Sequence, residues 1–121
     1  MNNKRFRDYN FITGVLPTGK LNSIADVDNV RVGHFSKNIG TDIRTGVTLI
    51  DPGVKNLFHK KLPAAIAIGN GYGKLIGSTQ IAELGTLETP IALTGSGSVY
   101  NVARGVFDLV VRTTKQVGAL D

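Results

Sequence analysis

The chain has no cysteine, no tryptophan and a single methionine among its 121 residues. The first absence removes disulfide staples, thiolate metal sites and cysteine nucleophiles together, and it fits a cytoplasmic protein. Acidic residues are scarce too, nine against 14 Lys and Arg, and the only glutamates are Glu83 and Glu88. A helical carboxylate site is not expected from so few. The two histidines, His34 and His59, lack metal-ligand spacing, so neither a metal nor another cofactor is expected. No run approaches the roughly 18 apolar residues of a membrane span, and no apolar stretch follows the basic start as it would in a secretion leader. Neither membrane insertion nor secretion is expected.

What is present describes a folded chain. Hydrophobic residues make up 41% and charged residues 19%, enough apolar surface to offset ordering entropy, in a length that suits one domain. Residues 1–121 read as a single unit in which residues 1–20 form a loose basic arm. Lys4, Arg5, Arg7 and Lys20 against Asp8 place much of the net +5 charge there, and Lys55, Lys60 and Lys61 make the other cluster. No basic stripe runs along a helix face, so both clusters read as solvated surface, with no nucleic-acid or membrane partner.

The periodicities predict short elements. VRVGHF and IRTGVTLI, residues 30–35 and 43–50, are β-branched runs separated by a turn and predict a hairpin. AAIAIG, residues 64–69, is a continuous apolar run that reads as a central strand covered on both faces. Ser78 caps a short helix ending near Leu84, Pro90 opens the apolar run IALTG, and GSGS leads into a long helix over residues 99–115. Its apolar positions occupy most of the helical circumference, which predicts a packed interior helix. The alternation favours a layered α/β or α+β domain. Residues 64–69 and 99–111 are too apolar for the neighbouring elements to cover, so an oligomer or a partner chain is expected.

Glycine stands out, 15 residues in all. GVLPTGK, residues 14–20, has P-loop spacing, but Leu21 replaces the magnesium-binding hydroxyl and Pro17 sits within the loop; a surface turn is the better reading. GNGYGK, residues 69–74, repeats glycine every second residue and so fails the dinucleotide pattern. It reads instead as a tight loop at a strand end, where positive φ and close approach of backbone or ligand are allowed, facing a cleft beyond the strand. Ser96 or Ser98 of GSGS reads as an N-cap, and Asp26 and Asp28 as Asx-type turn residues. The alternative to an enzyme is a small α/β module, or an inactive remnant, that binds an anionic ligand or partner through GSGS or the arm.

Three linked segments go further. LNSIADVDNVRVGH (residues 21–34), IRTGVTLIDP (43–52) and GNGYGKLIGSTQIAELGTLETPIALTGSGSVYNVARGV (69–106) resemble, in order and spacing, the opening of the D-aminopeptidase and β-aminopeptidase family. The resemblance covers residues 5 to about 112. Asn29 stands where that family has glycine, Tyr72 and Lys74 replace the second Asn and the Glu of N-G-N-G-E, and GSGS replaces a T-N-T-H-S-type stretch. The resemblance implies a four-layered αββα fold. It also implies a precursor that cuts itself before a Ser or Thr, which then becomes nucleophile and new N-terminus. No residue of this chain matches that nucleophile. The chain would be the α-subunit portion of such an aminopeptidase or amidase, its partner the remaining polypeptide with the nucleophile, and its substrate a small peptide, amide or ester. Asn70, Gly71, Tyr72 and Glu83 are the pocket-wall candidates the matching segments imply.

Overall fold

The computed structural model describes residues 4–115 and 117. Five strands and two helices follow in the order β1 Arg31–Ile39, β2 Ile43–Asp51, β3 Leu62–Pro63, α1 Ser78–Leu84, β4 Thr86–Leu87, β5 Ile91–Thr94 and α2 Val99–Thr113. All described pairing is antiparallel: β1-β2-β5 form one sheet and β3-β4 a two-residue ribbon, giving a mixed α+β architecture.

The hairpin forms as its β-branched runs require, and its strands run on to Ile39 and Asp51. Nine residue pairs from Arg31↔Asp51 to Ile39↔Ile43 fix its register. Gly40 enters the connecting loop at φ +56°, a conformation glycine adopts without a Cβ penalty. The Arg44 guanidinium donates to the Ile43 and Gly40 carbonyls, both at 2.8 Å, and closes the turn. At the other end Arg31 pairs with Asp51 at 2.5 Å, and Asp51 accepts the Gly53 N–H at 2.8 Å. Those contacts, the backbone hydrogen bond foremost, hold the Asp51 carboxyl below its ordinary pKa.

Asn29 and Gly53 meet beneath that foot. Gly53 has φ +75°, and a Cβ there would fall 2.2 Å from the Asn29 carbonyl oxygen. Asn29 itself sits at φ +67°. The asparagine that replaces the resembling family's glycine is thus the non-glycine residue best suited to the left-handed region.

β5 pairs with residues 47–50 of β2 alone, leaving the hairpin tip without a third strand among the described residues. Along β5, Ala92 and Thr94 are half-buried while Ile91 and Leu93 are exposed, and α2 packs back against the strand. Val99, Val102, Ala103, Val106 and Val110 form the covered stripe of α2, in which Val110 is buried and the others are half-buried. The interior position predicted for this helix is not what the structure shows. Tyr100, Phe107 and Val111 form a second, open stripe, with Phe107 57% exposed and the Arg104 guanidinium lying 6.0 Å over its ring.

Other expectations are corrected in the same way. The run 64–69 is not a central strand. Pairing stops after the Ala64 N–H bonds the Gly85 carbonyl at 2.8 Å, because β4 is two residues long and Gly85 turns left-handed at the end of α1. Residues 64, 66 and 67–68 then pass from half-buried to exposed without a ladder partner among the described residues. Helix α1 has the predicted bounds, but Gly77 at φ +87°, not Ser78, is its N-cap. Ser98 is the N-cap of α2 by position, yet no serine side chain caps it; the Ser96–Ser98 turn, closed by a bond from the Ser98 N–H to the Gly95 carbonyl at 2.8 Å, leads directly into the helix. Asp26 accepts from Leu21 N–H and Ser23 N–H, closing a capping box with Ser23 instead of an Asx turn. The arm is tethered, since Arg7 donates to the Leu21 and Asn22 carbonyls at 3.1 and 3.3 Å.

In the complete protein, Gly53→Ala is expected to destabilise the fold by about 2 kcal/mol or more in urea denaturation, since it adds both strain and overlap. Asp51 gives a pH signature. Its folded pKa lies below the unfolded value, so its contribution is present above about pH 4 and is lost as pH falls through the folded pKa. Asp51→Asn should flatten the acid limb of a stability-against-pH curve; an unchanged limb would remove Asp51 from the account.

Candidate functional site

The four sequence-predicted residues fall on two exposed segments. Asn70, Gly71 and Tyr72 lie in the loop that follows the unpaired run, and the Asn70 Oδ1 accepts the Tyr72 N–H at 3.1 Å in an Asx-type turn. Tyr72 is 84% exposed, and the Lys74 ammonium lies 5.4 Å over its ring. The two residues that depart from N-G-N-G-E therefore form one cation–π pair, which turns an acidic position cationic. Glu83 lies in the last turn of α1, exposed and without an ion pair among the described residues. No hydrogen bond or ion pair among the described residues joins Glu83 to the loop.

The alternating glycines do not act through positive φ. Gly69, Gly71 and Gly73 lie outside that region, and a Cβ on any of them would meet nothing within 4 Å. What they provide is open space on an exposed loop. Neither of two hollows on the surface is lined by this loop.

One hollow, of about 700 Å³, lies between residues 13–19 of the arm and Asn22, Ser23, Ile24 and Asp26. It contains the P-loop-like stretch. The backbone hydrogen bonds from Leu21 and Ser23 keep the Asp26 carboxyl below its ordinary pKa, so it presents a negative charge where a phosphate would sit. A surface turn is the reading that geometry supports. The second hollow, about 440 Å³, is lined by Ser36, Asn38, Arg44, Thr45, Gly46 and Gly95. Sequence reading missed it because its residues come from three separate segments. The signal available was Gly46, a glycine inside a β-branched strand, which marks close backbone approach.

Comparison with known proteins gives these segments a context. Peptidase family S58 matches residues 22–120. The chain belongs to that family. It is 38% identical over 98 residues to the β-peptidyl aminopeptidase BapA of Sphingosinicella xenopeptidilytica, covering 74% of this chain and 24% of that protein. The crystal structure of the PH0078 protein from Pyrococcus horikoshii OT3 superposes with a TM-score of 0.82 at 38% identity, covering 88% of this chain and 32% of that one. The chain thus spans about a quarter to a third of the length of these relatives. The S58 match begins at residue 22, so the arm, residues 1–20, lies outside it.

Family membership makes the loop at residues 69–74 a test of site against structure. Gly71→Val in the complete S58 protein should leave the melting temperature within about 2 °C, since it meets neither strain nor overlap. If the loop lines the substrate pocket, the KM should rise severalfold. A large drop in melting temperature with unchanged kinetics would instead make Gly71 a structural residue.

Proposed function

We propose that this chain is the N-terminal α-subunit portion of a self-processing aminopeptidase or amidase that removes N-terminal residues from small peptides, amides or esters. The observation that carries this reading is the S58 match over residues 22–120 in a chain that spans only 24% of an aminopeptidase 38% identical to it. In the αββα arrangement implied by the resemblance, β1-β2-β5 supplies part of one sheet layer and α2 part of the helical layer outside it. The remaining polypeptide supplies the second sheet and the Ser or Thr freed by self-cleavage.

The chemistry is acyl transfer. The freed hydroxyl attacks the carbonyl, donors hold the oxyanion, the amine leaves, and water releases the acyl group. This chain contributes a pocket wall. An aminopeptidase must hold an ammonium group, and Glu83 is the carboxylate among the four wall candidates, while Lys74 carries the opposite charge. The open surface supports the partner: the chain exposes 10183 Å², against the roughly 6,300 Å² that scaling gives for a self-contained protein of 12.9 kDa. Homo-oligomerisation of the complete enzyme would cover the rest. The cysteine-free composition supports a cytoplasmic location, and among the described residues no helix is long and apolar enough to cross a membrane.

The test is to express the polypeptide read through beyond residue 121 and to sequence the termini of the purified product. Two fragments are expected, the second beginning with Ser or Thr, together with hydrolysis of aminoacyl amides. Replacing that residue by Ala should leave one uncut and inactive chain. A single uncut chain that binds but does not hydrolyse would favour the binding-module alternative.

A further inference from the structure

The hollow near the turn end of the hairpin has a construction that the peptidase reading does not by itself explain. β2 spans nine residues, but β5 covers only residues 47–50, and the chain turns away at Gly95. The edge of β2 over residues 44–46 is therefore left without a strand on that side among the described residues. Its floor has no side chain. A Cβ at Gly46 would lie 2.4 Å from the Phe35 carbonyl oxygen, and the Thr94 hydroxyl donates to the Gly46 carbonyl at 2.8 Å, pinning the floor in place. Gly95, with φ −65° and nothing within 4 Å of its Cβ position, leaves the rim open.

The groups around that floor are donors. Arg44 is fixed by the Ile43 and Gly40 carbonyls and forms no ion pair among the described residues. A guanidinium has five N–H donors, so several remain unspent. Asn38 is the cross-strand partner of Arg44, and Ser36 that of Gly46, so all four lie on one sheet face. Neither Ser36 nor Asn38 makes a side-chain hydrogen bond among the described residues, and no carboxylate lines the hollow. A fixed guanidinium flanked by a hydroxyl and an amide, with no acid present, complements a carboxylate. The volume of about 440 Å³ lies within the range of small-ligand sites.

We propose that this hollow binds the free C-terminal carboxylate of a short peptide substrate. The proposal rests on the peptidase reading and goes beyond it: it makes the enzyme selective for short peptides with a free acid end over their C-terminal amides. Arg44 supplies the charge, Ser36 and Asn38 supply directional hydrogen bonds, and the empty positions at Gly46 and Gly95 admit the chain terminus.

The experiment compares a dipeptide with its C-terminal amide as substrates of the complete protein, in wild type, Arg44→Met, Arg44→Lys and Gly95→Val. The wild type should prefer the free acid. Arg44→Met should raise the KM for the acid about tenfold or more and leave the amide within about twofold, since a charge-assisted bidentate contact is lost for one substrate only. Arg44→Lys should recover part of the loss. Gly95→Val, which meets no neighbouring atom, should weaken the acid without lowering the melting temperature. Equal effects of Arg44→Met on acid and amide, or no effect on either, would overturn the site and leave the peptidase reading intact. If neither substrate is hydrolysed the peptidase reading fails, and calorimetric titration of the dipeptide then decides the site: saturable binding abolished by Arg44→Met supports it, and no binding overturns it.

Discussion

The nine-pair ladder between β1 and β2 is the interaction on which the other elements depend. β2 is the strand bonded on both sides, β5 takes its register from β2, and α2 follows β5 through a single 3-10 turn. The ladder is secured at both ends, by Arg44 over the Gly40 turn and by Asp51 between Arg31 and Gly53. At that foot the backbone of Gly53 passes so close to Asn29 that a Cβ would overlap its carbonyl. An antiparallel hairpin of this length is local in sequence, which is why it needs no distant partner to form its register.

The same architecture leaves apolar surface without cover. Leu57 and Val110 are the buried apolar side chains among the described residues, whereas Leu93, Ile91 and Phe35 on the sheet and Tyr100 and Phe107 on α2 remain in contact with water. Apolar patches of that extent mark interfaces. S58 membership and the short span relative to the aminopeptidase give those surfaces a consistent reading as faces that another part of the protein covers.

Local signals were legible in the sequence and long-range ones were not. The hairpin, α1 and the start of α2 came from β-branched runs, turn residues and punctuation by glycine and proline, all of which act over a few residues. Residues 64–69 were misread because an apolar run reports burial without naming what buries it; among the described residues β4 is two residues long and pairs with Leu62 and Pro63, so the ladder ends before the run. The interior reading of α2 failed for the same reason. GSGS was rightly placed at a helix start, but no serine oxygen caps the helix; a 3-10 turn closed between Gly95 and Ser98 leads into it. At the candidate site, the order and spacing of the motifs pointed to the S58 family, and the Asn70 turn and the Tyr72–Lys74 pair follow from near neighbours. The hollow around Arg44 was invisible because Ser36, Arg44 and Gly95 meet only once β1, β2 and β5 are in register.

The central claim is that residues 1–121 form one part of a larger S58 fold, with faces that require the rest of the polypeptide. Sedimentation equilibrium combined with scanning calorimetry on residues 1–121 alone tests it most directly. The account predicts self-association or the absence of a cooperative unfolding transition, both relieved when the segment beyond residue 121 is present. A monodisperse monomer that unfolds in one cooperative transition would contradict it.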